Sequence, residues 1–389
     1  FPKFYVLLVL LLAAFIAGVH MYMRSAMVEY EENTPANFAL SLVENASDTD
    51  GALGEFLKEH VFEGAHSAGT SLKSGFYNKA SSSKLSAELE PPAEPKIQIV
   101  NLSADGKPFL RLEIEEVGQR SILNLLAISE WKFNNAFLRY EDSQERSLSL
   151  ADDGTLSYRV SLPSGFTLLL CGAEETNLRL ESSEQLAEFD PVSDFVPVPV
   201  QNIYKIEGLY FEADVSALDN VGEPVPAEKL PSGEFVVEAN YAPSAEAEEF
   251  INSVADPLYI GELWSKYMTN DVGGPYRGRN KVREECMLLK GSDLYTLATN
   301  WASSVDITFV SGHTIDSWTG EKVDNYIKYN DHLLSCDVYF EKNMTLTRTK
   351  EKRTDVFNNR MYFVYIEDSA IAEPGWYLAD MMSLDERRE

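Results

Sequence analysis

The hydrophobic pattern along the chain is uneven from the start. Twenty consecutive uncharged residues run from Phe4 to Met23, beginning "FYVLLVLLLAAFIAGV", with Lys3 and Arg24 as brackets. A helix needs about 20 such residues to cross a bilayer core of about 30 Å. The run is longer than the apolar core of a usual secretory signal, and no small-x-small cleavage pattern precedes Arg24. A transmembrane anchor over 1–24 is therefore predicted, with a cytoplasmic end expected upstream of Phe1.

Beyond the anchor the apolar positions take a helical period and then an alternating one. In "ENTPANFALSLVENA", Thr34 is placed to cap a helix with Pro35 at its first position and Phe38, Leu40, Leu42 and Val43 as its stripe. "DTDGALGEFLKEHVF" repeats the pattern with Leu53, Phe56, Leu57 and Val61. A Gly/Ser-rich passage from Gly64 to Ser83 then leads to strand-like runs: "KIQIVNL", "PFLRLEIEEV", "ILNLLAISEWKF" and "AFLRYE". Helices followed by long strands over 31–150 predict an α+β domain.

From 151 to 243 the pattern is all β and rich in turns. "LSYRVSLPSGFTLLLCGAEETNLRL" reads as alternating strands around a Pro163, Ser164, Gly165 turn, with Cys171 and Gly172 as a second tight turn. "SDFVPVPVQ" reads as an extended connector, and "YKIEGLYFEADVSALDNVGEP" and "GEFVVEANYA" supply more strands. Helical spacing returns over 244–389, where Ser244 caps "SAEAEEFINSVA", Pro257 restarts a helix, and "GRNKVREECMLLK" and "SDLYTLATNWASSV" add two more. "VDITFVSG", "HLLSCDVYFEK", "MTLTRTK" and "RMYFVYIED" then read as strands. The order helices then strands thus occurs twice.

Several strings carry a resemblance. "YMTNDVGGPYRG", "SDLY", "SSVDITFVSGHTI", "SCDVYFEKNMTLTRT", "YFVYIED" and "WYLADM" resemble a group of membrane-anchored proteins from clostridial (Firmicutes) genomes, and the segment they occupy resembles the nuclear-transport-factor-2-like fold. That resemblance implies N-terminal helices packed across a strongly curved antiparallel sheet, and it implies architecture rather than chemistry. "LPSGFTLLLCG" is similar to the envelope PEGA-type β module, with Cys171 where that module's second turn usually has Asn. Element order admits the transport-factor-like fold for 31–150 as well. The expected architecture is accordingly α+β: a transmembrane helix (1–24), an α+β domain (31–150), a small all-β PEGA-like module with its connector (151–243) and a transport-factor-like C-terminal domain (244–389).

Charge narrows the functions. The chain carries a formal −29, and residues 25–389 carry −31 because the anchor segment holds only Lys3 and Arg24. Such a balance opposes broad binding to nucleic acid or anionic lipid. Against it stands one basic stretch, "DVGGPYRGRNKVREE", where Tyr276, Arg277, Arg279, Lys281 and Arg283 form the candidate binding group. Cations at a helix N-terminus oppose its dipole. They call for a compensating anion, either Glu284 and Glu285, another acidic surface of the protein, or a partner. "RTKEKR" (Arg348 to Arg353) reads instead as a hairpin tip.

Catalytic candidates are sparse. A curved sheet closed by helices leaves a cavity, in which an acid or base with a shifted pKa can work. The groups available are Asp306, Asp331 and His332, with His313 and Tyr339 nearby; the period of two puts His332 in phase with Leu334, Cys336, Val338 and Phe340. No G-x-S-x-G, S-x-x-K, phosphate-loop or dinucleotide fingerprint is present, and neither metal spacing nor a cofactor motif. The three cysteines, Cys171, Cys286 and Cys336, form no disulfide framework, with one bridge, Cys286 to Cys336, conceivable. The expectation is a single-pass membrane protein with its folded domains outside the cytoplasm, binding an envelope protein, a peptide or cell-wall material. The alternative is a small-ligand, proton-transfer or hydrolytic site in the C-terminal cavity.

Overall fold

A computed structural model describes residues 2–46, 51–122, 126–139, 155–268, 282–303 and 313–385. An N-terminal apolar helix is followed by mixed α+β structure with several antiparallel sheets. The chain divides into two compact units. The first is Phe1–Arg159 with Leu168–Arg179 and Lys205–Ser216; the second is Val160–Thr167, Leu180–Tyr204 and Ala217–Glu389.

The first unit begins with α1 (Pro2–Glu32), whose apolar window is entirely exposed. At about 1.5 Å per residue it is about 46 Å long. It therefore outlasts a bilayer core of about 30 Å by roughly three turns. Thr34 caps α2 (Pro35–Glu44), its hydroxyl accepting from the Asn37 amide at 3.4 Å. α3 (Ala52–Leu57) runs on into a single π-type turn, Lys58–Phe62. The Gly/Ser-rich passage, to which no element was assigned from the sequence, contains a further helix, α4 (Gly69–Ser82). Intrinsic propensity argues against it, and tertiary packing of Phe76 overrides that prior.

These helices precede an antiparallel meander of β1 (Leu85–Glu94), β2 (Ile97–Ala104), β3 (Lys107–Ile122) and β4 (Leu126–Leu138), in that spatial order. Asp105 and Gly106, at φ 51° and 81°, turn β2 into β3 in the two-residue conformation that suits the strand twist. Val100, Leu102, Leu110, Leu112 and Ile114 form the sheet's share of the core, and Ala39, Val43, Leu53 and Leu57 the helices'. His66 is buried in this unit, with Nε2 donating to the Glu207 carbonyl at 3.0 Å and Nδ1 facing the buried Glu175 carboxylate at 3.2 Å.

The middle segment supplies β5 (Leu156–Pro163), β6 (Thr167–Leu170), β7 (Ala173–Glu174), β8 (Arg179–Gln185), β9 (Val200–Leu209), β10 (Val215–Leu218), β11 (Pro224–Pro226), β12 (Glu228–Lys229) and β13 (Phe235–Val236). They form sheets in the orders β11-β10-β6-β7 and β12-β13-β5-β9-β8. Gly165 lies at φ 83°, as its turn requires. Cys171 and Gly172, at φ 49° and 77°, close the β6–β7 hairpin, so a thiol occupies a left-handed position that Asn or Gly normally fills. The connector before β9 begins with one 3₁₀ helix, Ala187–Val192.

The second unit's longer described helices are α5 (Ala245–Val254), capped by Ser244, α6 (Pro257–Met268) and α7 (Asp293–Ser303), where the Ser292 hydroxyl accepts from the Tyr295 amide at 3.1 Å; residues 282–285 are helical as well. β14 (His313–Asn330), β15 (Leu333–Leu346), β16 (Lys352–Ile366) and β17 (Gly375–Ser383) follow as a second antiparallel meander. β14 pairs with β15 through four register irregularities, each adding local bend and twist. Even positions of β15 (Leu334, Cys336, Val338, Phe340) join Ile251, Ile260, Leu263, Cys286 and Leu288 in one core. The Phe340 and Phe357 rings stack at 4.7 Å and an interplanar angle of 4°.

Gly261 lies where α6 meets this stack. A Cβ there would come 3.0 Å from a Phe340 ring carbon and 3.3 Å from both Met361 and Phe357. Alanine gains about 1 kcal/mol of helix propensity over glycine, but overpacking a filled core costs about 1–3 kcal/mol. Because the rings restrain one another, Gly261→Ala is expected to lower unfolding free energy by about 1 kcal/mol in a urea titration. An unchanged or higher midpoint would show that the rings yield.

Candidate functional site

The expected apolar cavity is occupied where it is described. Val338 and Phe340 are fully buried in the core between sheet and helices, with Trp318 set edge-on to Phe340 at 5.2 Å. His332 lies in the turn before β15, partly exposed, 6.1 Å from the Tyr365 ring, and its amide donates to Asn330 Oδ1 at 2.8 Å. Asp331 is exposed and pairs with Lys328 at 3.0 Å, whose ammonium holds the carboxyl below the usual range. Asp306 and Phe309 lie outside the described residues, as do Tyr276, Arg277, Arg279 and Lys281. Arg283 is engaged within the protein: Nη1 donates to Tyr295 Oη at 3.3 Å and the guanidinium lies 5.4 Å from that ring's centroid. Glu285 accepts from Tyr259 Oη at 2.8 Å. Tyr339 Oη donates to Glu341 at 3.0 Å, which raises the phenol's pKa.

The structure brings together a different group on the opposite face of β15. Leu333, Ser335 and Asp337 at odd positions there are also buried, and the last two are polar. Register sets Asp337 directly across from Arg360 on β16, the arrangement in which a cross-strand pair interacts most strongly. The contact is bidentate, Nε to Oδ1 at 2.6 Å and Nη2 to Oδ2 at 2.9 Å. Asn325, at φ 48° within a bulge of β14, donates from Nδ2 to Asp337 Oδ2 at 2.9 Å. Tyr329 Oη and Ser335 Oγ are 3.1 Å apart. Phe189 of the 3₁₀ helix packs edge-on to Tyr329 at 4.8 Å, and Tyr241 packs edge-on to it at 5.0 Å.

A cavity of about 280 Å³ opens here, with Arg360, Asn325, Tyr329, Tyr241 and Glu188 among its lining. Hydrogen bonding to Asp337 raises the Arg360 pKa above its ordinary value, so the group stays cationic at every working pH. Burial raises the phenols of Tyr329 and Tyr241. The arrangement can hold a small polar group by fixed donors and ring faces.

Lys342 is a second group that sequence reasoning passed over. Two residues beyond Phe340 in the same phase, it is 0% exposed, and Nζ donates to the Ser265 carbonyl at 3.4 Å. The phase of two that was applied to His332 could have found it. For Asp337 and Arg360 the signal was slight: Asp337 interrupts the run Leu333 to Phe340, and Arg360 opens the run Met361 to Ile366. Among the described residues no cluster of His, Cys, Asp and Glu could hold a metal ion.

Arg360→Ala strands a carboxylate that is 9% exposed. Breaking such a pair costs about 3–5 kcal/mol. Removing both partners as Asp337→Leu/Arg360→Met is expected to cost clearly less, and chemical denaturation of the three proteins checks this. A second effect concerns Asp380 on β17, whose carboxyl is raised by burial and by Asp293. A raised folded-state pKa gives stability below the unfolded pKa that is lost as pH rises through the folded one. Asp380→Asn is therefore expected to change Tm little near pH 3 and to raise it at pH 7, as thermal melts at the two pH values will show. No protein-family model, curated protein or solved structure matches the chain.

Proposed function

We propose that the protein is a single-pass, membrane-anchored binding or scaffold protein of a Gram-positive cell envelope, with its folded domains outside the cytoplasm. The carrying observation is α1: a 31-residue helix whose apolar window has none of its residues buried, so the surface calls for lipid. The acidity of the remaining chain supports exposure to solvent rather than to nucleic acid. In this reading residues 244–389 form a nuclear-transport-factor-2-like domain, supported by helices followed by a bulged four-stranded meander. The hairpin turns at Gly165 and at Cys171 and Gly172 support a PEGA-type module. A function by binding is favoured because the described helix–sheet interior is packed while the Arg360 cavity is polar and hydrogen-bonding. Its partner is an envelope protein, a peptide or cell-wall material.

A second reading, a small-ligand or proton-transfer site inside the C-terminal domain, rests on Lys342, since a lysine withdrawn from water is a group enzymes use. The two readings separate by mutation. In a crosslinking pull-down with the anchored chain, Arg277→Ala/Arg279→Ala/Lys281→Ala is expected to reduce partner recovery several-fold, and Lys342→Met to leave it unchanged. Recovery insensitive to the triple change and abolished by Lys342→Met would favour the second. Protease added to intact cells is expected to digest the chain down to an anchor-sized fragment; full protection without permeabilisation would refute the topology.

A further inference from the structure

The strands of the first unit's meander do not all end together. β2 begins at Ile97, which pairs with Glu115 of β3, whereas β3 runs on to Ile122. From Val117 onward β3 and β4 therefore project past the rest of the sheet as a two-stranded ribbon. Such a ribbon is marginal in water by itself, and α1 braces this one. The helix packs along β4, and Ala26 of the helix and Ile128 of the strand are both buried. Trp131 Nε1 donates to the Asn33 carbonyl at 2.9 Å, and Arg120 forms an ion pair with Glu29.

These ties set a direction. Going from Asn33 to Glu29 along α1 leads toward the apolar run, and going from Trp131 to Ile128, the cross-strand partner of Arg120, leads toward the ribbon's closed end. The closed end thus points at the membrane. Glu29 lies six residues from Met23, the last residue of the uncharged run, or about 9 Å at about 1.5 Å per residue. The strands continue two residues past Arg120 and Ile128, to Ile122 and Leu126, or about 7 Å. The ribbon accordingly closes level with the headgroup layer, about 5–8 Å thick on each side of the core. α1 is continuous from the run to Glu32, so no hinge separates the two. Tyr22 and Arg24, residue types that gather at headgroup level, stand at that boundary.

Composition changes at the same place. The other two turns of the meander carry Pro95 with Lys96 and Asp105 with Gly106. Ser121 to Ser129, "SILNLLAIS", instead holds no charge and includes Ile122, Leu123, Leu125, Leu126 and Ile128. An apolar end on a projecting ribbon is a liability in water and a fitting surface for lipid. We propose that the closed end of the β3–β4 ribbon is a second membrane-contacting element, seated in the headgroup layer of the bilayer that α1 crosses. Its partner is lipid, and the proposal rests on reading α1 as a span. A single helix lets the domain it carries tilt, whereas a helix with a ribbon beside it fixes the attitude of the first unit to the membrane surface.

The test uses the full chain in nanodiscs of phosphatidylglycerol and phosphatidylcholine. The photoreactive residue p-benzoylphenylalanine replaces in turn Ala127 near the ribbon's end, Phe15 in α1 and Lys107 at the far end of β3, and adducts are read by mass spectrometry. Lipid adducts are expected at positions 15 and 127, with the yield at 127 at least five-fold above that at 107. In Ile122→Asp/Leu126→Asp the adduct at 127 is expected to fall at least five-fold, while the adduct at 15 and the melting curve are unchanged. Lipid adducts at 15 without any at 127, adducts at 127 to a second copy of the chain instead of lipid, or an adduct at 127 that the folded double variant retains would overturn the proposal and leave the span standing. Absence of lipid adducts at both 15 and 127 would overturn the span and the proposal together. The comparison of 127 with 107 involves no disruptive change, so it decides the matter where the double variant fails to fold.

Discussion

The second unit depends on one strand being buried on both faces. Most sheets that carry helices on one side leave the other to water, and their strands then alternate apolar and polar positions. β15 cannot do so, because even positions from Leu334 to Phe340 meet the helices while Leu333, Ser335 and Asp337 are buried too. A carboxylate withdrawn from water needs a counter-charge and filled hydrogen-bond sites. Arg360 and Asn325 supply both, and each comes from a neighbouring strand at a position that pairing and a bulge determine. Strand register, bulge position and the polar cavity are in this sense one constraint.

The two units share a plan. Among the described residues, each has helices after the anchor or the β-rich segment, then a four-stranded meander with interrupted register. The plan accommodates different chemistry. In the first unit His66 and Glu175 form a buried polar pair, and an apolar cleft lies beneath α4; in the second the pair is Asp337 with Arg360, and the cavity beside it is polar.

Much of the helical part was legible because it is written in local chemistry. Thr34 with Pro35, Ser244, Pro257 and Ser292 mark helix starts by hydrogen bonds or fixed torsions that depend on a few adjacent residues. The hairpin tip between Leu346 and Lys352 was legible for similar reasons, with Lys350 at φ 61° in the turn. α4 was not, because glycine and serine argue against helix and only Phe76 packing on the sheet decides for it. β14 and β17 escaped as well: β14 is exposed through its first half and lacks a sustained alternation, and β17 is a short run whose place is set by pairing with β16. His332 was misplaced because a period of two has no end marker, and the turn held by Asn330 starts the strand one residue later than the pattern implies. The Asp337–Arg360 pair joins residues 23 apart, and a long-range ion pair leaves no short-range trace.

The three thiols bear on a different matter, the chemical durability of the chain. Cys286 and Cys336 are wholly buried in one core, and burial pushes Cys286 up to about 12 and raises Cys336 further. All three are free. Oxidation and disulfide exchange proceed through the thiolate, which these surroundings suppress. The fold thus holds no disulfide, and its two buried thiols, Cys286 and Cys336, are poor targets for an oxidant.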